Sequence, residues 1–165
     1  MKNSPQMEKL EKLLRSSRIA GGGFLGNDSR PLEEIIECDS AELAETGYSR
    51  SDVVCRLKEI RSAAEKGLGA WVKVDESVEA SISDTRGFLP CPWPHPGRYS
   101  KTVVTVRNIR SGMSVRLSDL NIHMIEEHGF FEGKGSPFRI EPSTLVKTVF
   151  EPISGSRNLE NGINV

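Results

Sequence analysis

Every histidine of the chain falls in a span of under forty residues together with one of its three cysteines, as Cys91-x3-His95 and His123-x4-His128. Thiolate and imidazole are the ligands zinc takes four at a time in a tetrahedron, and His-x4-His lies within the spacing that zinc modules use. The set offers one functional reading as a metal site built from Cys91, His95, His123 and His128, with Zn as the cofactor such a site would take. A different chemistry uses the same residues: Cys91 as a nucleophile with His95 or His128 as its base, which needs a hydrogen bond between them. The plainer alternative makes His128 a histidine favoured at a helix C-terminus and His123 a surface residue near Glu126 and Glu127.

Helix geometry constrains the metal reading. Positions five apart on a helix point about 140° away from each other. Cys91 and His95 are therefore expected to meet one of the two helix histidines, and a complete four-ligand site is opposed unless the helix end unwinds. The same arithmetic sets His128 beside Leu117, Leu120 and Met124, with His123 on the other side.

A second candidate is Gly129-Phe-Phe-Glu-Gly-Lys-Gly-Ser-Pro-Phe-Arg139. Three residues separate Gly129 from Gly133 where a P-loop has four, and Gly135 stands where Ser or Thr should follow Lys134, so this is not a P-loop. A looser anion site remains the functional expectation, with glycine-rich backbone N–H groups and the charges of Lys134, Arg139 and Arg98. Its alternative is a surface loop with Phe130, Phe131 and Phe138 packed inward.

The elements that must position these residues follow from periodicity. Phe88 to Tyr99 carries prolines at every second position from Pro90 to Pro96, giving a stiff extended strut with Cys91, Trp93 and His95 between them. It contains no PxxP, so a polyproline-ligand role is not expected. After it, Thr102–Arg107 and Met113–Leu117 alternate as a hairpin turning at Ser111-Gly112, Ser118 caps a helix through His128, and Gly129 ends it. Pro142 starts a last short helix with Leu145, Val146 and Val149.

Before the strut, Ser4-Pro5 opens a helix striped by Met7, Leu10, Leu13 and Leu14, and Gly21–Gly26 reads as a flexible linker. Leu32, Ile35 and Ile36 mark a short helix, and Asp39/Ser40 cap another through Leu43 and Ala44. Ser49-Arg-Ser-Asp52 begins a helix with Val53, Leu57, Ile60 and Ala64 on one face, running to about Lys66. A hairpin over Trp71–Val74 and Ser77–Ser83 follows.

Ala41 to Ile60, with Leu43-Ala44, Gly47 and Ser49-Arg50-Ser51 before a helix, resembles the helix-turn-helix of bacterial regulators. With the hairpin in the place of a wing, the likeness covers residues 30–83, although Ala44 and Gly47 are three apart where the family has four. The resemblance implies nucleic-acid contact through Arg50, Arg56, Lys58 and Arg61. Charge opposes it: residues 27–85 hold 7 Lys/Arg against 14 Asp/Glu, and phosphate neutralisation supplies most of the affinity of such modules. The alternative is a trihelical scaffold or dimerisation element.

At 165 residues with 36% hydrophobic content the chain has enough apolar matter for a real core. Three cysteines are an odd, sparse set, unlike a disulfide framework. The apolar runs fall far short of the roughly 20 residues that cross a bilayer. The first residues lack the apolar stretch of a signal peptide, so a cytoplasmic protein without membrane association is expected. Residues 1–97 carry 13 Lys/Arg against 16 Asp/Glu, and residues 98–150 carry 8 against 5. Only the later part has the sign that attracts phosphates.

The sequence thus predicts an α+β protein. It comprises an N-terminal helix and linker (1–26), a winged-helix-like helical part (27–87), a Pro-rich strut with a hairpin–helix–loop–helix unit (88–150), and a flexible tail (151–165), with the two antiparallel hairpins sharing a sheet. The leading functional expectation is a regulatory or interaction protein with a protein partner, a homodimer contact or nucleic acid; the rival is a metal protein or Cys/His enzyme.

Overall fold

A computed structural model describes residues 4–150; the expected tail, 151–165, lies outside the described residues. Among these, five helices surround a four-stranded antiparallel sheet and a two-stranded one, an α+β architecture.

Local signals place most elements. Ser4 caps α1 (Pro5–Arg15), its hydroxyl accepting from the Met7 N–H. Ser49 and Asp52 form a reciprocal capping box that starts α3 (Arg50–Glu65). Ser118 and Asn121 do the same for α4 (Asp119–His128), and Gly129, at φ 63°, closes it in the left-handed conformation that glycine adopts most easily. Pro142 is the first residue of α5 (Pro142–Val149).

The region expected to hold two short helices is one continuous helix, α2 (Leu32–Glu45). Asp39 does not cap a helix there. It lies buried in mid-helix, and both its carboxylate oxygens accept from the Arg139 guanidinium, at 2.6 and 2.8 Å. That tertiary pair outweighs the local capping tendency of Asp.

The two hairpins share the main sheet, in the order β1 (Val72–Lys73), β2 (Val78–Ser83), β5 (Val103–Asn108), β6 (Ser114–Ser118). Strand alternation turns Val78, Ala80 and Ile82 of β2 and Val104 and Val106 of β5 inward. They meet Val53, Leu57, Ile60 and Ala64 of α3 and Leu145 and Val149 of α5 in one core. Each Val, Leu or Ile side chain among them contributes about 1.5–3 kcal/mol when fully buried. That core joins residues from both sides of the strut.

A second core lies under α1 and the strut, with Leu10, Leu14, Phe24, Leu25, Leu32, Ile35, Cys91, Leu120, Met124 and Phe130. Helix α4 divides the two: Ile122 and Ile125 face the first, Leu120 and Met124 the second. The stretch Gly21–Gly26, read as a flexible linker, is anchored by Phe24 and Leu25, which are buried in the second core. Phe24 N–H donates to Leu14 O at 2.7 Å and Gly133 N–H donates to Phe24 O at 2.8 Å. A Cβ on Gly26 would stand 2.3 Å from Ser136 N.

The strut is closed by a two-stranded sheet, β3 (Phe88–Leu89) with β4 (Tyr99–Ser100), in the register Phe88↔Ser100 and Leu89↔Tyr99. Residues 90–98 thus form a loop pinned at its base beside α4.

Candidate metal centre

All four residues named from the sequence converge. One ligand atom from each of Cys91, His95, His123 and His128 lies within 4.8 Å of every other. His95 Nε2 is 3.1 Å from His128 Nε2 and 3.2 Å from His123 Nε2, and Cys91 Sγ is 3.4 Å from His128 Nε2. The cluster can hold a metal ion.

The expectation that only one helix histidine takes part is overturned, and the helix does not unwind. Gly129 N–H donates to Ile125 O and Phe130 N–H to Met124 O, both at 3.1 Å, so α4 keeps its last turn through His128. The bisector of the two histidine directions runs along the Leu120–Met124 line, about 70° from each. That line faces the second core, where the strut lies. Each imidazole reaches over the flank from its own side, and His128 also leans toward the helix N-terminus as helical side chains do. The Cα-direction rule failed because the site sits between the two directions and the rings are long enough to meet there.

Packing fixes the rings. Tyr99 stacks on His123, centroids 4.1 Å apart at 24°, and Trp93 stacks on His128 at 4.1 Å and 4°. Phe130 supports Trp93 from beneath at 5.4 Å. His95 Nδ1 lies 2.9 Å from Pro96 O; a carbonyl only accepts, so Nδ1 carries the proton and Nε2 presents its lone pair to the cluster. Gly97, at φ 139°, leaves room for the Tyr99 hydroxyl, which a Cβ would approach to 2.8 Å.

Burial favours the uncharged forms of Cys91, His123 and His128. Burial, reinforced by His123, His95 and Arg50, pushes His128 down to about 4. Burial and His95 lower His123, while Glu127 and Glu126 act in the opposite sense. Burial pushes the Cys91 thiol up, partly offset by the hydrogen bond from the Trp93 N–H. Neutral imidazoles are the form that binds metal, and a bound dication reverses the tendency of the thiol.

No family model, curated protein or solved structure matches the chain. The functional reading therefore rests on geometry alone.

The other sequence candidates are differently placed. Arg56 is held by Val149 O, Glu59 and Asp75; Lys58 by Glu126 at 2.9 Å; and Arg61 by Asp119 and Glu65 at 2.8 and 3.2 Å. Among the described residues only Arg50 of that set makes no ion pair, its guanidinium lying beside Gly129. Arg139 is clamped between Asp39 and Glu141. The exposed Lys134 also acts on Glu141, and Arg98 lies 5.2 Å over the Phe88 ring. These three cations thus face the protein's own acids and an aromatic ring. Phe130 and Phe131 are buried, whereas Phe138 is half-buried under Arg116. Cys38 and Cys55 are exposed and take no part.

Sequence reasoning missed Glu132, which is 3% exposed and bonded to Asn121 and Ser136. Its one sequence signal is the pair of flanking glycines, Gly129 and Gly133, which mark a tightly packed loop but not a buried acid.

Proposed function

We propose that the protein is a zinc protein whose Cys91–His95–His123–His128 centre fastens the Pro-rich loop to α4, and that it acts as a non-catalytic regulatory or interaction protein. The convergence of the four ligand atoms carries this reading. With Zn–N near 2.05 Å and Zn–S near 2.3 Å, a tetrahedron has N–N edges of about 3.3 Å and N–S edges of about 3.6 Å. Three of the six edges here measure 3.1, 3.2 and 3.4 Å, and the other three lie within 4.8 Å. One thiolate and three imidazoles suit zinc and exclude the hard, oxygen-seeking calcium and magnesium. Four protein ligands close the coordination shell, which favours a structural ion over a hydrolytic one with an open position.

The enzyme alternative has less support. Although Cys91 and His128 are 3.4 Å apart, the thiol is pushed up and the imidazole down. A nucleophilic pair needs the opposite: a stabilised thiolate beside an imidazolium. Nucleic-acid binding through α3 is likewise weakened by the acids that pair Arg56, Lys58 and Arg61.

Metal analysis of protein purified without a polyhistidine tag tests the proposal. One zinc per chain, falling to background in the Cys91→Ser/His95→Ala double variant, is expected. Protein that stays metal-free after zinc supplementation overturns it.

A further inference from the structure

Glu132 is an acid in an unusual place. It is 3% exposed and holds φ at 67°, a left-handed conformation rare for residues other than glycine. The neighbouring glycines pack tightly: a Cβ on Gly133 would stand 2.5 Å from Leu25 O, and one on Gly135 2.2 Å from the Asn27 side-chain Oδ1. The loop over 132–136 thus lies directly against the segment over 25–27.

The Glu132 carboxylate has hydrogen bonds but no cation. Asn121 Nδ2 donates to Oε2 at 2.5 Å, and Ser136 Oγ lies 3.0 Å from Oε1. Arg139 is the nearest guanidinium, and all five of its donors are engaged: two by Asp39, two by Glu141 and one by the Glu132 backbone carbonyl. One cation thus serves two other carboxylates before Glu132 is counted. Two neutral donors leave each Glu132 oxygen with further accepting capacity, and burial raises the acid to about 7 against the smaller lowering by Asn121, Ser136 and Arg139.

Beside it opens a pocket of about 290 Å³, walled by Gly21, Gly23, Leu89, Val103 and Leu120, with Glu132 and Asn121 among its polar lining. The basic residue on its lining, Lys101, is an exposed side chain. A mostly apolar cavity with one buried carboxyl is the form that binds a small molecule with a cationic head and an apolar body.

From these observations we infer that the Glu132 pocket is a binding site for a small primary ammonium compound, its apolar body against the Gly21–Gly23 and Leu120 walls and its ammonium on the Glu132 carboxylate. The site is independent of the metal centre, so either assignment can fail alone.

Titration of the full chain with benzylamine, followed by calorimetry and by chemical-shift changes, tests the inference, with benzyl alcohol as the uncharged isostere. Saturable binding of benzylamine is expected, at least ten times tighter than that of the alcohol. The Glu132→Gln variant, which keeps the side-chain shape and an amide for Ser136, should lose at least tenfold for the amine and leave the alcohol unchanged. Circular dichroism establishes that the variant is folded. A second variant, Leu120→Met, reshapes the apolar wall and should change the affinity of both probes. Absence of saturable binding, equal binding of amine and alcohol, or undiminished amine binding by Glu132→Gln would each overturn the assignment.

Discussion

His95 turns its Nε2 toward His128 Nε2 at 3.1 Å while its Nδ1 is tied to Pro96 O at 2.9 Å. Because the Pro96 carbonyl fixes the proton on Nδ1, the Nε2 lone pair points into the cluster, where His123 Nε2 also approaches to 3.2 Å. An imidazole nitrogen has a single lone pair and can accept well from one of these neighbours only. A cation between the nitrogens would satisfy all three at once, and the cluster could hold one.

Removing the proposed zinc is expected to loosen residues 88–100 and to spare the main sheet. The loop is pinned at its base by the short β3–β4 pairing and otherwise depends on the centre and its stacked rings. If free zinc exceeds Kd about a thousandfold, binding contributes about 4 kcal/mol. Chelation should lower Tm accordingly, speed hydrogen exchange at the Lys101 amide, which bonds Gly87 O at 3.1 Å, and alter Trp93 fluorescence. Exchange in β2 and β5 should stay slow until global unfolding.

Glu132 makes stability depend on pH. Its folded value is raised from 4.5 to about 7, so the folded state favours the protonated acid. The contribution is fully present below the unfolded value near 4.5 and is lost as pH rises through about 7. The shift corresponds to about 3 kcal/mol. Glu132→Gln, whose side chain never ionises, should gain about 2–3 kcal/mol relative to the parent at pH 8, a gain that disappears toward pH 4.5. Urea unfolding at both pH values measures the difference.

Arg139 is a buried hub, its side chain 8% exposed against 5% for Asp39. It joins α2 to the 129–141 segment through Asp39, Glu141 and the Glu132 carbonyl. Arg139→Ala should destabilise by about 3–5 kcal/mol, because Asp39 would remain buried without its counter-charge. Arg139→Lys should recover only part of this, since an ammonium has three donors where the guanidinium uses five. Chemical denaturation of both variants provides the comparison.

Local chemistry made much of this legible in the sequence. The Ser49 and Ser118 caps, Gly129 as terminator, Pro142 as initiator and the alternation of both hairpins all lie within a few residues of what they determine. Signals that depend on distant partners were not legible. Asp39 reads as a cap until Arg139, one hundred residues away, claims its carboxylate. The glycines at 21–26 read as a linker until a second glycine-rich loop packs against them. The residues of the Cys/His cluster were named by type, but how many of them meet depends on the strut lying along the Leu120–Met124 line, which no periodicity within α4 can show. Glu132 gave no signal of its burial, because only the fold surrounds it with Asn121, Ser136 and a fully engaged Arg139.

The most direct test of the central claim is titration of metal-free protein with cobalt(II), which takes zinc sites and reports their geometry by absorption. One equivalent should produce intense tetrahedral d–d bands with a thiolate-to-cobalt charge-transfer band, both bleached by one equivalent of zinc. In Cys91→Ser the charge-transfer band should vanish, and in His123→Ala the tetrahedral intensity should fall. The weak spectrum of octahedral aqueous cobalt throughout the titration, with no saturation at one equivalent, would contradict a Cys91–His95–His123–His128 centre.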